Sequence, residues 1–199
     1  MMIRFIDILS SALGLLILSP ILIIISIWIK LDSSGPFFYK QLRVGKNGVD
    51  FYLFKFRSMR TGSDNKGLLT VGERDSRITS SGYFIRKYKL DELPQLINVL
   101  IGEMSLVGPR PEVRKYVDMY TEEQSKVLSV KPGVTDYASI EYSNENEILA
   151  KASNPEECYI KEVMPNKLAL NMKFIQNHTL GNYFRIIFLT LKKIGQHQR

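Results

Sequence analysis

The sequence predicts an α+β fold: a mainly helical body that contains a small β-hairpin, preceded by an apolar N-terminal helix. No charged residue occurs from Ile8 to Ile29, and about 20 such residues suffice for an α-helix to cross a bilayer. Further along, Asn47-Gly48, a dipeptide typical of tight hairpin turns, separates two segments of β-type alternation. Most of the remaining chain has helical periodicity, and 199 residues suffice for one domain with a core beside the apolar helix.

The apolar segment is predicted to be a membrane element that Ser19 and Pro20 interrupt near its midpoint. Pro20 has no N–H group for the helical ladder, so the helix should kink there into two arms, each about as long as one leaflet is deep. Two geometries remain open: a re-entrant hairpin with both ends on one side of the bilayer, or a kinked helix that spans it. Arg4 and Lys30 flank the segment at its two ends, so charge does not distinguish them.

The chain therefore divides into residues 1–31, embedded in the membrane, and a body of residues 32–199. The formal net charge is +7, and the whole excess lies after the apolar segment because Arg4 and Asp7 cancel. A basic body implies an anionic partner: a nucleic acid, an anionic lipid or a phosphorylated substrate. The single cysteine, Cys158, excludes an intramolecular disulfide, and no Cys/His spacing is typical of a zinc site.

Two strands are predicted at the start of the body, from Phe37 to Val44 and from Val49 to Met59. Alternation along the second strand puts Lys55 and Arg57 on one face. These two cations could bind a phosphate together, or they could form the solvated face of a strand whose phenylalanines are buried. A polar stretch from Thr61 to Gly72 follows, and it is predicted to be a loop or lid near the site.

The stretch from Arg86 to Pro111 has the pattern of a phosphate site. Asp91 and Glu92 follow three cations and precede Pro94, a residue that suits a first helical turn, so the pair should lie at a helix N-terminus. Arg110 stands between two prolines, which stiffen the loop that presents its guanidinium. For the acidic dipeptide alone, a helix cap with a first-turn glutamate is the more common explanation. The surrounding cations instead favour a site that binds phosphate, or a carboxylate that attacks one.

The rest of the body is predicted to be mostly helical. Its main elements are a helix capped by Ser80 or Ser81 with Tyr83, Phe84 and Tyr88 inward, a helix from Tyr116 to Val130, a strand from Val134 to Tyr142, and a last helix from Leu180 to Ile194. The last helix carries an apolar stripe and an opposite cationic face. It therefore either lies in a membrane interface or packs on its own domain.

Short motifs that occur in order along the chain as far as Thr135 resemble those of the bacterial sugar transferase family, the small monotopic phosphoglycosyl transferases. They are Phe5 to Ile8, Ser19-Pro20, Lys30 to Pro36, Arg43 to Gly48, Tyr52 to Met59, Asp75 to Thr79, Leu90 to Leu100, Met104 to Pro111, and Lys131 to Thr135. Each motif is weak alone, but the ordered set is specific. From Asp136 to Asn144 the chain departs from many relatives, which leaves the identity of the sugar open.

The resemblance implies transfer of a sugar-1-phosphate from a UDP-sugar to polyprenyl (undecaprenyl) phosphate with release of UMP, the first membrane step of bacterial glycoconjugate or polysaccharide synthesis. Asp91 would be the nucleophile that forms a phosphosugar-aspartyl intermediate, and Glu92 would assist it. The same two carboxylates would hold Mg²⁺. The resemblance implies that Lys55, Arg86 and Arg110 contact the phosphates. Arg57 joins this predicted phosphate-binding set because it shares a strand face with Lys55.

The resemblance also favours the re-entrant geometry at Ser19 and Pro20. It places the body, with interfacial helices, on the cytosolic face of the bacterial inner (cytoplasmic) membrane. The implied partners are a UDP-sugar, a polyprenyl phosphate and membrane lipid, with no nucleic acid beyond the nucleotide of the substrate; a homo-oligomer is compatible with this set.

A second hypothesis follows from the charge and the anchor alone. In it, the protein is a membrane-tethered basic adaptor or scaffold that binds anionic lipid or nucleic acid without turnover. It leaves unexplained why cations converge on Asp91 and Glu92.

Overall fold

A computed structural model of the chain describes residues 2–63, 69 and 75–197. The predicted α+β class is confirmed: an apolar N-terminal helix leads into a mainly helical body with a small sheet. The helices are α1 Met2–Asp32, α2 Ser80–Lys87, α3 Gln95–Ile101, α4 Arg114–Val117, α5 Glu122–Ser125, α6 Tyr137–Glu141, α7 Glu145–Lys151, α8 Pro155–Cys158, α9 Met164–Gln176 and α10 Leu180–His197. The strands are β1 Phe38–Val44, β2 Asp50–Phe56, β3 Ser105–Val107 and β4 Gly133–Thr135.

Strands β1 and β2 form the predicted hairpin. They are antiparallel, with Phe38 opposite Phe56 at one end and Val44 opposite Asp50 at the other. The turn between them contains Asn47 at φ +57° and Gly48 at φ +76°. Asn and Gly tolerate this left-handed backbone better than other residues, which explains why this dipeptide forms the turn.

Helix α1 exposes a long apolar surface. Leu16, Ile17 and Ile24 are 70%, 73% and 64% exposed, and the helix is long and apolar enough to cross a membrane. This surface indicates that the protein associates with a membrane. The helix continues through Pro20, and the Ser19 hydroxyl donates to the Leu16 carbonyl. Whether the helix re-enters or spans the bilayer stays a prediction at this point.

The N-terminal end of α1 is fixed to the body by two charged residues. The Arg4 guanidinium donates to the Val99 and Leu100 carbonyls at the end of α3. The buried Asp7 carboxylate accepts hydrogen bonds from the Ser105 hydroxyl at 3.0 Å and the Tyr183 hydroxyl at 2.7 Å. Charged groups of α1 therefore bind the body as well as flanking the apolar segment.

The C-terminal end of α1 is fixed to the same body. The Asp32 carboxylate accepts hydrogen bonds from the Ser81 backbone N–H at 2.9 Å and from its hydroxyl at 2.8 Å. Ile25 and Ile29 of α1 are buried in one cluster with Phe56 and Ile85. Both ends of the apolar helix are thus tied to one body.

Helix α2 differs from its prediction in its cap and in the face that it buries. Its N-cap is Thr79, whose hydroxyl accepts from the Gly82 N–H, and not Ser80 or Ser81. Ile85 is its buried apolar residue, because it packs against α1. The aromatic residues predicted to point inward are exposed: Tyr83, Phe84 and Tyr88. The Phe84 ring lies 5.3 Å from that of Trp28, so these aromatics extend the exposed surface of α1.

Two further predictions in the second half of the chain are wrong. The helix predicted from Tyr116 to Val130 is divided into α4, α5 and a short 3₁₀ turn, because Thr121 begins a new helix with its own capping box. The strand predicted from Val134 to Tyr142 stops at Thr135. The carboxylate of Asp136 accepts from the Ser139 N–H and caps α6 instead. Most of the predicted lid from Thr61 to Gly72 lies outside the described residues.

Helix α10 has two apolar faces. Tyr183 and Ile186 are buried in a cluster that also contacts α1. Phe184, Phe188 and Leu191 lie on another face and are 49%, 68% and 64% exposed. The helix therefore packs on its own domain and still presents an apolar surface, so the two alternatives for it are compatible.

Candidate active site

The two predicted catalytic carboxylates lie on a tight turn. Asp91 and Glu92 belong to a 3₁₀ turn that begins at Leu90, and α3 starts only at Gln95. The pair thus precedes the α-helix and does not occupy its N-terminus as predicted. Lys89 enters the turn at φ +56°, a left-handed backbone that costs energy for a lysine.

Glu92 is held by two cations. Arg110 binds it with both ends of its guanidinium; Nη1 lies 3.0 Å from Oε2, and Nη2 binds Oε1. The ammonium group of Lys55 lies 3.5 Å from Oε1. Burial alone would raise the pKa of Glu92, but Arg110 and Lys55 together lower the pKa well below its usual range. Glu92 is therefore ionised, and its charge fixes the positions of both cations.

Asp91 has a different environment from its neighbour. Its side chain is buried, with 7% exposed, and it makes no hydrogen bond or ion pair with any residue that the structure describes. Burial, and then the charge of Glu92, raise the pKa of Asp91, whereas Lys55 and Arg86 act in the opposite direction. A carboxylate that no side-chain cation holds is a better nucleophile than one in an ion pair with arginine or lysine.

Lys55 is the cation of the site whose charge is most easily lost. Burial lowers its pKa to about 8, although the attraction of Glu92 opposes the change. Arg110, by contrast, has its pKa raised by Glu92 and stays protonated. The site therefore combines a permanent cation with one that titrates near neutral pH.

The structure places Lys55 and Arg110 against Glu92. Arg86 is near enough to Asp91 for its charge to oppose the burial-driven rise in the pKa of that carboxyl, whereas Arg57 has a different role. The Arg57 guanidinium is buried and donates to four backbone carbonyls at the end of α1: Ile29, Ser33, Ser34 and Pro36. The Ile29 carbonyl also accepts from the Ser33 N–H, and Arg57 adds donors to it and to the carbonyls that follow, so it closes the C-terminus of α1. All three guanidinium nitrogens of Arg57 bind these carbonyls, so Arg57 is not part of the proposed phosphate-binding set.

Asn98 positions the site, although the sequence analysis gave it no role. It is fully buried on α3; its side-chain amide donates to the Tyr52 carbonyl at 2.7 Å and accepts from the Phe54 N–H at 2.9 Å. These bonds hold β2, which carries Lys55, against the helix that follows Glu92. A polar residue on the buried face of a short apolar helix was the signal that could have identified it.

The loop that carries Arg110 is held by close backbone packing. A Cβ atom at Gly108 would lie 2.4 Å from the Lys131 carbonyl oxygen, and one at Gly133 would lie 2.0 Å from the Gly108 nitrogen. Only glycine permits this approach. The Arg110 N–H donates to Asp136 at 3.0 Å. Asp136 is the second positioning residue that sequence analysis missed, because α6, which it caps, was predicted to be a strand.

The acidic pair fits a magnesium ion that is shared with a substrate. Within residues 2–63, 69 and 75–197, no group of three or more His, Cys, Asp or Glu residues could hold a metal ion. Mg²⁺ is, however, commonly bound by one or two carboxylates together with phosphate oxygens and water. Asp91 offers a carboxylate without a partner, and Glu92 retains lone pairs beside those that Arg110 uses.

Comparison with known proteins identifies the family of the chain. The model of a family described as bacterial sugar transferase matches residues 1–197. The chain belongs to the bacterial sugar transferase family. The matched range includes the predicted nucleophile and the arginine between two prolines.

Curated members of the bacterial sugar transferase family match nearly the whole chain. The UDP-N-acetylgalactosamine-undecaprenyl-phosphate N-acetylgalactosaminephosphotransferase of Aeromonas hydrophila is 35% identical over 96% of the chain, and the UDP-glucose:undecaprenyl-phosphate glucose-1-phosphate transferase of Escherichia coli is 35% identical over 94%. The chain spans only 43% and 39% of these proteins. It spans 84% of an uncharacterized sugar transferase of Bacillus subtilis, to which it is 37% identical.

Proposed function

We propose that the protein transfers a sugar-1-phosphate from a UDP-sugar to undecaprenyl phosphate and releases UMP. The observation that carries this proposal is the contrast between the adjacent carboxylates: Asp91 is buried without a bound cation, while Glu92 is held by Arg110 and Lys55. Such a pair supplies a carboxylate that can act as the nucleophile and, beside it, cations that can bind a diphosphate. The activities for which the Aeromonas hydrophila and Escherichia coli relatives are named support the same substrates.

The reaction proceeds in two displacements. A carboxylate oxygen of Asp91 attacks the phosphorus that bears the sugar, the bond from that phosphorus to the bridging oxygen breaks, and UMP leaves. A phosphate oxygen of undecaprenyl phosphate then attacks the same phosphorus, and the Asp91 carboxylate is released. Lys55, Arg86 and Arg110 bind the phosphoryl oxygens and offset the charge that develops on them.

Asp91 and Glu92 are the residues that would hold Mg²⁺. The ion, when bound, neutralises the diphosphate and favours departure of UMP. The chain itself orients the substrate, because Glu92 and the two prolines fix the guanidinium of Arg110 on one side of Asp91.

The membrane geometry brings this chemistry to a lipid substrate. Arg4 and Asp32, near the two ends of α1, are bonded to the same body, which favours a re-entrant helix whose ends both face the cytosol at the inner membrane. The aromatics of α2 and the exposed face of α10 then lie at the interface, where Trp and Tyr rings are enriched in membrane proteins. Asp91 would meet the phosphate head group there.

The proposal is tested with the full chain in bilayers that contain undecaprenyl phosphate. A panel of UDP-sugars with Mg²⁺ should give UMP release with at least one sugar, and omission of Mg²⁺ should abolish it. Asp91→Asn should stop turnover. When wild-type protein is given UDP-sugar and Mg²⁺ without undecaprenyl phosphate, mass spectrometry should find the phosphosugar on Asp91. Turnover that survives in Asp91→Asn, or an adduct on another residue, would refute this mechanism. Salt-sensitive lipid or nucleic-acid binding with no turnover would instead support the adaptor hypothesis.

A further inference from the structure

Asp136 joins two elements beside the active site. Its side chain is fully buried, and its two oxygens accept hydrogen bonds from different places. Oδ2 accepts from the Arg110 backbone N–H at 3.0 Å, and Oδ1 accepts from the Ser139 backbone N–H at 2.5 Å. The same carboxylate therefore caps α6 and holds the loop that carries Arg110.

The Arg110 loop is held by several contacts, but only one of them reaches the backbone N–H of Arg110 itself. Pro109 and Pro111 have no backbone N–H, so Arg110 provides the one amide donor of the Pro-Arg-Pro segment. Asp136 accepts that donor. On the far side of the segment, Arg43 donates to the Pro111 carbonyl at 3.0 Å. The backbone N–H of Arg110 is therefore bound by a buried carboxylate.

The position of this backbone matters because Arg110 reaches Glu92 with both ends of its guanidinium. Such paired contacts depend on geometry more strongly than a single ion pair does. Asp136 also adds a second negative charge near Arg110, after that of Glu92. Loss of the Asp136 contact would let the loop shift while Glu92 and the fold remain.

We propose that Asp136 is a positioning residue that fixes the backbone of Arg110, so that the guanidinium stays aligned with Glu92 and with the phosphate that it binds. This inference rests on the proposed transferase function. It assigns Asp136 no contact with the substrate, so Asp136 acts through Arg110 alone.

The first test is Asp136→Asn. Asparagine has the same shape but only one side-chain acceptor, so either Arg110 or Ser139 loses its partner. We expect kcat/KM for the UDP-sugar to fall by about tenfold or more, since small displacements of a positioning group have large effects. The matched control is Asn154→Ala, which removes the cap of α8 away from Arg110. It should lower thermal stability and leave kcat/KM unchanged.

A double-mutant cycle with Arg110→Lys separates positioning from general destabilisation. If Asp136 acts through Arg110, the Asp136→Asn change should have little further effect on kcat/KM once lysine has removed the bidentate contact. Losses that multiply in the double variant, or wild-type kcat/KM in Asp136→Asn, would overturn the proposal.

Hydrogen exchange provides a readout that does not need activity. A peptide that contains the Pro-Arg-Pro segment should exchange the Arg110 amide faster in Asp136→Asn than in wild type, and equal protection would refute the role of Asp136. If wild-type protein turned over no UDP-sugar, the proposed function would fail, while this exchange measurement would still decide whether Asp136 holds the loop.

Discussion

At the scale of single residues, the site depends on a difference between neighbours. Asp91 and Glu92 are adjacent, yet one has its pKa raised by burial and the other has its pKa lowered by Arg110 and Lys55 despite burial. The environment, and not the residue type, therefore distinguishes the proposed nucleophile, Asp91, from Glu92, which holds the two cations. The sequence shows both carboxylates and does not distinguish their surroundings.

The pH dependence of the reaction should reflect Lys55 and Asp91. The pKa of Lys55 is lowered to about 8, so its positive charge is lost as the pH rises through that value and phosphate binding weakens. Asp91 must be ionised to attack, and its pKa is raised, so activity should grow with pH on the acidic side. A profile of kcat/KM against pH reports these ionisations in the free enzyme.

The matched variant for this profile is Lys55→Arg. Arginine stays charged throughout the accessible pH range, so the fall in kcat/KM above pH 8 should disappear even if the maximum rate is lower. A fall at the same pH in Lys55→Arg would show that another group causes it.

Arg57 should act on stability and not on substrate binding. Arg57→Lys leaves several carbonyls at the end of α1 without donors, and we expect a loss of about 2–3 kcal/mol in the free energy of unfolding. KM for the UDP-sugar should not change. Unfolding in detergent and steady-state kinetics measure the two quantities.

Arg114→Lys is the control for Arg57, because Arg114 is an exposed arginine that also donates to a carbonyl. It should alter stability by no more than about 0.5 kcal/mol. A raised KM in Arg57→Lys with unchanged stability would restore the phosphate-binding role that the sequence suggested.

At the scale of elements, local signals predicted what local physics determines. The Asn47-Gly48 turn and the apolar helix α1 were both predicted correctly from the sequence. Helical periodicity also indicated that Tyr83 and Phe84 contribute to one apolar surface of α2. It could not distinguish a surface buried in the protein core from one that contacts a membrane, since both environments are apolar.

The remaining errors came from contacts between distant parts of the chain. The role of Arg57 depends on carbonyls more than 20 residues earlier, and the end of β4 depends on a cap that also binds Arg110. On α3, the buried positions are Gln95, Asn98 and Val99, whereas the apolar Ile101 is 58% exposed. Asn98 is buried because it bonds to β2, and periodicity contains no information about that partner.

The exposed face of α10 should lie in the bilayer interface. In a Cys158→Ser background, a nitroxide at residue 188 should collide more with oxygen and less with a water-soluble nickel complex than one at residue 161, because Phe188 is exposed on an apolar face. Lys161 belongs to a polar, exposed surface and serves as the control. Equal accessibility to the nickel complex at both positions would contradict interfacial placement.

At the scale of the whole molecule, the two ends of α1 should face the same compartment. The Arg4 and Asp32 contacts reach one body, so Met2→Cys and Lys161→Cys, each in the Cys158→Ser background, should be labelled by a membrane-impermeant thiol reagent from the same side. Inverted and right-side-out membrane vesicles provide the two sides. Labelling of residue 2 from the opposite side to residue 161 would establish a spanning helix.

The contacts of α1 also decide how the protein can be handled. Deleting the first 32 residues would leave the Arg57 guanidinium without its Ile29 carbonyl, remove Asp7 from Ser105 and Tyr183, and uncover Phe56 and Ile85. A water-soluble truncation is thus expected to aggregate, not to yield an enzyme that merely lacks its lipid tether. Inhibitor screening and crystallisation would accordingly require the intact polypeptide in detergent or nanodiscs.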